Sequence, residues 1–140
     1  MLLNKTDIIH IIGIGGIGMS GIAEIMSKMG YRVQGSDANK SNNTKRLEKK
    51  HIKVFIGHKK SNVKKANIVF FFFSIIFINI EMISARENNI PTLPRFKILS
   101  HLMRLKKGIA ISGSHGKTTT TTMVSSIFMH QNLKPTIING

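Results

Sequence analysis

Cysteine is absent from the 140 residues, so the chain has no disulfide framework and no thiolate metal site, which fits a reducing compartment. Acids are scarce: six Asp and Glu stand against 21 Lys and Arg, a net charge of +15. None of the six follows Lys117, so the last part of the chain offers no carboxylate for a magnesium site of the usual oxygen type. There is no long apolar run. The longest, residues 68–78, is broken by Ser74 and is about half of the ~20 residues that a membrane span needs. It reads as a buried strand running into a loop. The opening Met1-Leu2-Leu3-Asn4-Lys5 lacks the apolar core of a signal peptide. Aromatics are missing where charge is densest. Ten of the 21 basic residues lie from Lys40 to Lys65, and Phe55 is the one aromatic among them, too little for base stacking. No nucleic-acid partner is expected. Lysine, asparagine and isoleucine are abundant throughout, as compositional drift produces.

Apolar residues make up 41% of the chain, enough for a core, and the length alone allows one domain. Ile8-Ile9-His10-Ile11-Ile12 has the β-branched character of a buried parallel strand, with His10 a core or sheet-face residue. Met19, Ile22, Ala23, Ile25, Met26 and Met29 mark the apolar face of a helix that Gly30 ends. Tyr31-Arg32-Val33-Gln34-Gly35 is a second strand, and Ser36-Asp37 closes one β-α-β unit. The pattern then predicts a polar helix over 42–51 capped near Ser41, a strand over 52–56, and at most a helical turn over 61–66. A strand over 68–73, a helix from Ile80 to Asn88, an extended edge piece over 90–94 and an amphipathic helix over 95–107 follow. The last helix should turn Phe96, Ile98, Leu99, Leu102, Met103 and Leu105 inward. Strands alternating with helices predict an α/β fold with a Rossmann-like parallel sheet and flanking helices.

Two glycine loops carry the chemistry. Gly13-Ile14-Gly15-Gly16-Ile17-Gly18 satisfies G-x-G-x-x-G, follows a strand and opens a helix, and Asp37 comes 19 residues after Gly18. In that context a diphosphate can approach the backbone, and Asp37 can accept from a ribose hydroxyl or a base. A tight turn with glycines kept for packing is the plainer alternative. The second loop is Ser112-Gly113-Ser114-His115-Gly116-Lys117-Thr118-Thr119. It follows a strand expected over 109–111 and opens a helix marked by Met123, Ile127 and Phe128. Backbone N–H groups of such a loop and of the first helical turn close on an anion. Lys117 adds charge for outer phosphates, and the Thr118 hydroxyl can reach magnesium. Ile111 stands where the general P-loop pattern has its first glycine, so a Gly-Ser turn before a threonine-capped helix is the alternative. Lys117 directly after Gly116 favours the phosphate reading. His115 either lines the nucleotide or fills the loop, and the other histidines lack ligand spacing. A boundary is expected near Lys106-Lys107-Gly108 and an incoming strand over 133–140. Residues 108–140 are too few to bury a core of their own.

With both loops in view, the chain resembles the Mur ligases of peptidoglycan synthesis. The residues that carry this are His10-Ile11-Ile12-Gly13-Ile14-Gly15-Gly16-Ile17-Gly18-Met19-Ser20-Gly21-Ile22-Ala23-Glu24 and Gly35-Ser36-Asp37. Gly113-Ser114-His115-Gly116-Lys117-Thr118-Thr119-Thr120-Thr121, Met123-Val124-Ser125-Ser126 and Asn139-Gly140 continue it. Within the family the chain is similar to the N-terminal part of the alanine-adding members. The resemblance implies a UDP-sugar-binding Rossmann-like domain over residues 1–107. The start of a central P-loop ATPase domain follows over residues 108–140, with a third domain beyond. It implies ATP-dependent amide formation in the cytoplasm: the carboxylate of UDP-N-acetylmuramate is phosphorylated, then attacked by the amine of L-alanine. ATP and Mg2+ are the implied cofactors. Gly15, Gly16, Ile17 and Gly18 would hold the UDP diphosphate, Ser36 and Asp37 the uridine, and Ser74 and Arg95 the UDP-sugar. Gly113, Ser114, His115, Gly116, Lys117, Thr118 and Thr119 would hold ATP, with Thr118 toward Mg2+. The catalytic residues fall in later domains, so the 140 residues are expected to be inactive alone. A non-catalytic nucleotide-binding remnant and a nicotinamide-dependent oxidoreductase fragment are the competing readings. Two departures stand out. Phe72-Phe73-Ser74-Ile75-Ile76 replaces a Ser-Ser-Ala-type loop, with Ser74, Asn79 and Glu81 keeping the pattern. After Arg95, Phe96-Lys97 replaces a small residue and an acid.

Overall fold

The computed structural model describes residues 3–75 and 78–139; Ile76 and Phe77 of the altered loop, and Gly140 of the expected last strand, lie outside the described residues. Five strands form one parallel sheet: β1 (Ile8–Ile12), β2 (Arg32–Asp37), β3 (Lys53–Ile56), β4 (Ile68–Phe71) and β5 (Thr92–Pro94). Their order is β3-β2-β1-β4-β5, so the winding reverses between β1 and β4. Ligands of open α/β sheets bind in the crevice at that reversal, outside the carboxyl ends of the strands. The helices are α1 (Ile17–Lys28), α2 (Asn42–Lys49), α3 (Ile80–Glu87), α4 (Arg95–Leu105) and α5 (Lys117–His130). Short 3-10 turns occupy Lys60–Val63 and Phe73–Ile75.

Period-two alternation on β1 and β4 divides the core between the two sheet faces. Ile9, Ile11, Ile68 and Phe70 pack with Ile22, Met26, Leu47, Ile98 and Leu102 from α1, α2 and α4. Ile12, Val69 and Phe71 pack with Val63, Met82 and Ala85 from the Lys60–Val63 turn and α3. Local signals set the helix starts. Ser41 Oγ accepts from Thr44 N at 3.2 Å and Thr44 Oγ1 accepts from Ser41 N at 2.8 Å, a reciprocal cap on α2. Asn79 Oδ1 accepts from Glu81 N at 2.8 Å and starts α3.

Several expected features differ. Residues 109–111 and 133–139 form no strands, and Ile109 and Ile137 are exposed. A strand needs a neighbour, and the sheet ends at β3 and β5 without reaching them. Helix α5 does form, and the hydroxyls of Thr121, Thr122, Ser125 and Ser126 each donate to a carbonyl four residues back. On α4 only Ile98 and Leu102 are buried, with Leu99 half-buried, while Phe96, Met103 and Leu105 face outward. The core-facing stripe of an 11-residue helix does not admit all six expected residues. On α3 the apolar Ile80 and Ile83 face out, and Met82 and Ala85 face in. Strand β4 stops at Phe71, two residues short of the predicted end, where the chain turns into the Phe73–Ile75 turn. No helix among the described residues is long and apolar enough to cross a membrane.

Gly35 pairs with Ile11 across β1 and β2. A Cβ there would stand 2.6 Å from Ile14 Cβ and would also strike the Ile11 carbonyl. Gly35→Ala should therefore cost about 1–3 kcal/mol by overpacking. Urea denaturation of the two proteins measures this, and an unchanged midpoint would refute the close packing of β2 against Ile11 and Ile14.

Candidate functional site

The first glycine loop sits at the carboxyl end of β1 and opens α1. Gly13 has φ 75°, a left-handed conformation that a side chain disfavours. The turn is pinned from β2: the N–H groups of Gly13 and Ile14 both donate to the Ser36 carbonyl, at 2.8 and 2.9 Å. Asp37 Oδ2 accepts from Gly15 N at 2.9 Å, and Asn43 Nδ2 on α2 donates to the Gly15 carbonyl at 2.8 Å. A Cβ on Gly15 would lie 2.8 Å from Asp37 Oδ2 and 2.9 Å from Thr44 Cγ2, so the loop has no room for a side chain here. Arg95, the first residue of α4, lays its guanidinium against Gly18, where a Cβ would stand 2.6 Å from Arg95 Cζ. Its Nε is buried and has no hydrogen-bond partner among the described residues. Helix α1 begins at Gly16 without a side-chain cap or an acid in its first turn, and Ile17 is 84% exposed. The fold thus brings Gly15, Gly16, Ile17, Gly18, Ser36, Asp37 and Arg95 to one mouth. Ser74 is exposed in the turn after β4. An uncapped helix start and a guanidinium have the chemistry to receive an anion.

Beneath the loop lies a polar cluster that the sequence pattern does not reveal. Glu81 and His10 are fully buried. Glu81 Oε2 accepts from Ser36 Oγ at 2.5 Å and lies 3.2 Å from His10 Nε2 and 3.5 Å from His58 Nδ1. Glu81 Oε1 accepts from Asn62 Nδ2 at 2.5 Å and from Lys59 N at 3.4 Å. Gln34 Nε2 donates to the Asn62 carbonyl at 2.9 Å and faces His10 Nδ1 at 3.2 Å. That arrangement selects the His10 tautomer with its proton on Nε2, aimed at Glu81. Burial pushes the Glu81 carboxyl upward, but the hydrogen bonds from His10, Ser36 and Asn62 outweigh it and hold the group at about 2. One signal was visible in the sequence: a lone histidine inside a β-branched strand, expected in the core. Its partner Glu81 is 71 residues away, and the sequence marks it as keeping the family pattern without tying it to His10.

The second loop leads into α5 through Gly116, which is left-handed at φ 77°. Lys117 Nζ donates to the Gly113 carbonyl at 2.6 Å, and His115 Nδ1 lies 3.1 Å from Ser114 Oγ. Gly113, Ser114, His115, Gly116, Lys117, Thr118 and Thr119 are all exposed. A cleft of about 90 Å3 is lined by Ile111, Lys117, Thr118, Thr121, Ile138 and Asn139. Among the described residues no hydrogen bond joins 108–139 to the sheet, and no group of three or more His, Asp or Glu could hold a metal ion.

Residues 8–107 match the family model described as Mur ligase family, catalytic domain. The whole chain is 48% identical to UDP-N-acetylmuramate–L-alanine ligase of Aquifex aeolicus, of which it covers 31%. It is 51% identical to the protein of the same name from the Wolbachia of Brugia malayi, covering 27% of it. Among solved structures, UDP-N-acetylmuramate-alanine ligase from Thermotoga maritima superposes with a TM-score of 0.82 at 32% identity, over 90% of this chain and 30% of that one. The chain spans under a third of the length of these relatives.

The buried carboxylate gives the site a pH signature. Folding lowers the Glu81 pKa from 4.5 to about 2, so its stabilisation is present above about 4.5 and is lost as pH falls toward 2. The loss should be on the order of 3 kcal/mol. Urea denaturation across that window should show Glu81→Gln flattening the acid limb. An acid limb unchanged by the substitution would exclude this role.

Proposed function

The chain belongs to the Mur ligase family, and on that premise we propose that it holds the nucleotide sugar for an ATP-dependent ligase joining L-alanine to UDP-N-acetylmuramate. The observation that carries this reading is the mouth formed by the Gly15–Gly18 loop, the uncapped start of α1 and Arg95 over Gly18. Free N–H groups of the first helical turn and the guanidinium take the two phosphates, and the partnerless Arg95 Nε is suited to an anionic oxygen. Asp37 has a double task. It braces Gly15 N and receives Asn39 N at 3.3 Å, and its remaining lone pairs accept from the nucleoside. Ser36 is held from below by Glu81 and lends its carbonyl to the loop, so it acts through position.

The same reading assigns residues 1–107 to the UDP-sugar-binding domain and residues 108–140 to the beginning of a P-loop ATPase domain. Among the described residues no hydrogen bond joins the two parts and Ile138 alone packs against the main core cluster, which supports that division. The residues present fit the phosphates of ATP: α5 opens without a side-chain cap, and Gly113 to Thr119 are exposed around that start. Lys117 bonds a loop carbonyl and would exchange it for a phosphate oxygen. For Mg2+ the fit is partial. Thr118 supplies one hydroxyl and no acid follows Lys117, so carboxylate ligands must come from elsewhere. When bound, Mg2+ would neutralise phosphate charge. Activation of the carboxylate and capture of the L-alanine amine belong to groups outside these residues, and the setting is the cytoplasm.

Calorimetric titration of the chain should show binding of UDP-N-acetylmuramate and weaker or no binding of NAD. Tighter NAD binding would point to the nicotinamide reading instead. Asp37→Ala should lose on the order of 1.5–3 kcal/mol of UDP-sugar affinity, the worth of a charge-assisted hydrogen bond. The 140 residues alone should release no alanine-dependent phosphate from ATP, because phosphoryl transfer rests on positioning and charge neutralisation that they only begin to supply. Turnover above a Lys117→Ala control would refute that.

A further inference from the structure

The two departures from the family pattern noted above meet in space. Phe73, in the turn after β4, stacks on Phe96, in the first turn of α4, with ring centroids 6.3 Å apart and planes 12° from parallel. The two rings are near-parallel neighbours at the surface, and Lys97 Nζ also lies 5.6 Å from the Phe96 ring centroid. Both are more than half exposed, Phe73 at 60% and Phe96 at 52%. Phe73 is steadied from behind by the edge of buried Phe71, at 6.2 Å and 81°. Phe96 directly follows Arg95, whose guanidinium lies on Gly18, and the segments carrying the pair and the glycine loop all stand at the carboxyl ends of parallel strands.

We propose that Phe73 and Phe96 form an aromatic platform on which the pyranose ring of the bound UDP-sugar lies. The inference rests on the reading that this mouth takes a UDP-sugar. The sheet order then fixes which end of the ligand lies where. The diphosphate sits over the end of β1 at the α1 start, and the nucleoside extends toward Asp37 at the end of β2. The sugar on the far side of the diphosphate therefore falls over the ends of β4 and β5, where the two rings are. An aromatic face is electron-rich and suits the C–H face of a pyranose, which also removes apolar ring surface from water. A polar Ser-Ser-Ala loop would hold the sugar through hydroxyls. Here the hold is through ring contact, and specificity shifts toward the shape of the sugar.

The test is calorimetric titration of the chain with UDP and with UDP-N-acetylmuramate, for the unaltered protein, Phe73→Ala, Phe96→Ala and Phe73→Trp. Each alanine variant should bind the sugar nucleotide about tenfold more weakly and shift UDP affinity by less than about twofold. Phe73→Trp keeps a ring and should restore the affinity. Both side chains are exposed, so melting temperatures should hold, and a variant that fails to fold is replaced by the corresponding leucine. Equal losses on both ligands, or no loss on either, would overturn the platform while leaving the UDP-sugar reading standing. Failure of the unaltered chain to bind either ligand would overturn both. Light scattering that shows a dimer broken by Phe73→Ala would assign the rings to a second copy and overturn the proposal.

Discussion

A carboxylate with no access to water must be met by donors from the protein, or it will not stay ionised. Glu81 meets that demand by drawing on four separate elements: His10 of β1, Ser36 of β2, the Lys60–Val63 turn through Asn62, and the start of its own helix α3. The first turn of a helix is itself a favourable place for a negative charge. The arrangement reaches beyond stability. Ser36 gives its hydroxyl to Glu81 and its carbonyl to Gly13 and Ile14, so the shape of the glycine loop is one hydrogen bond removed from the buried charge. Neutralising Glu81 leaves several donors without an acceptor, and the loop is the nearest part able to move.

Much of this architecture is legible in the residues because it is set locally. The β-branched run of β1, the apolar spacing of α1 and the cap at Ser41 each act within a few residues, and each element forms where expected. The glycine loop is legible for the same reason, since its pattern is a backbone requirement. What is not legible is set at a distance. Residues 109–111 have the pattern of a strand and no neighbour to pair with. Phe96 has the character of a core residue, and the rotation of α4 leaves it on the outside against Phe73. His58 has no ligand spacing, yet it lies 3.1 Å from Ser36 Oγ in the cluster under the loop.

Asp37 shows a subtler gap between pattern and place. The spacing from Gly18 marks it as an acceptor for a ligand, and the structure finds it already accepting from Gly15 N. The two are compatible because a carboxylate has about four lone-pair positions. The consequence is a coupling: a ligand donor that bonds Asp37 would be felt at the Gly15 backbone.

The scarcity of acids bears on the same point. Glu24 is paired with Arg46 and Lys50, and Glu87 with Lys60, both at the surface where salt screens them. Glu81 is sealed under the loop. Asp7 stands before β1, at the opposite end of that strand, and Glu48 is exposed near the end of α2, so among the described residues Asp37 is the acid at the mouth, bonded to Gly15 N near the start of α1 in a chain of net charge +15. The surrounding field draws anions in, and it falls steeply with ionic strength. Yet a lone phosphate would meet the Asp37 charge at close range. A ligand that is anionic in the middle and offers a hydroxyl or amide donor at one end satisfies both signs at once, and a nucleoside diphosphate oriented toward β2 has that pattern. Orientation in this mouth thus follows from where its single carboxylate sits.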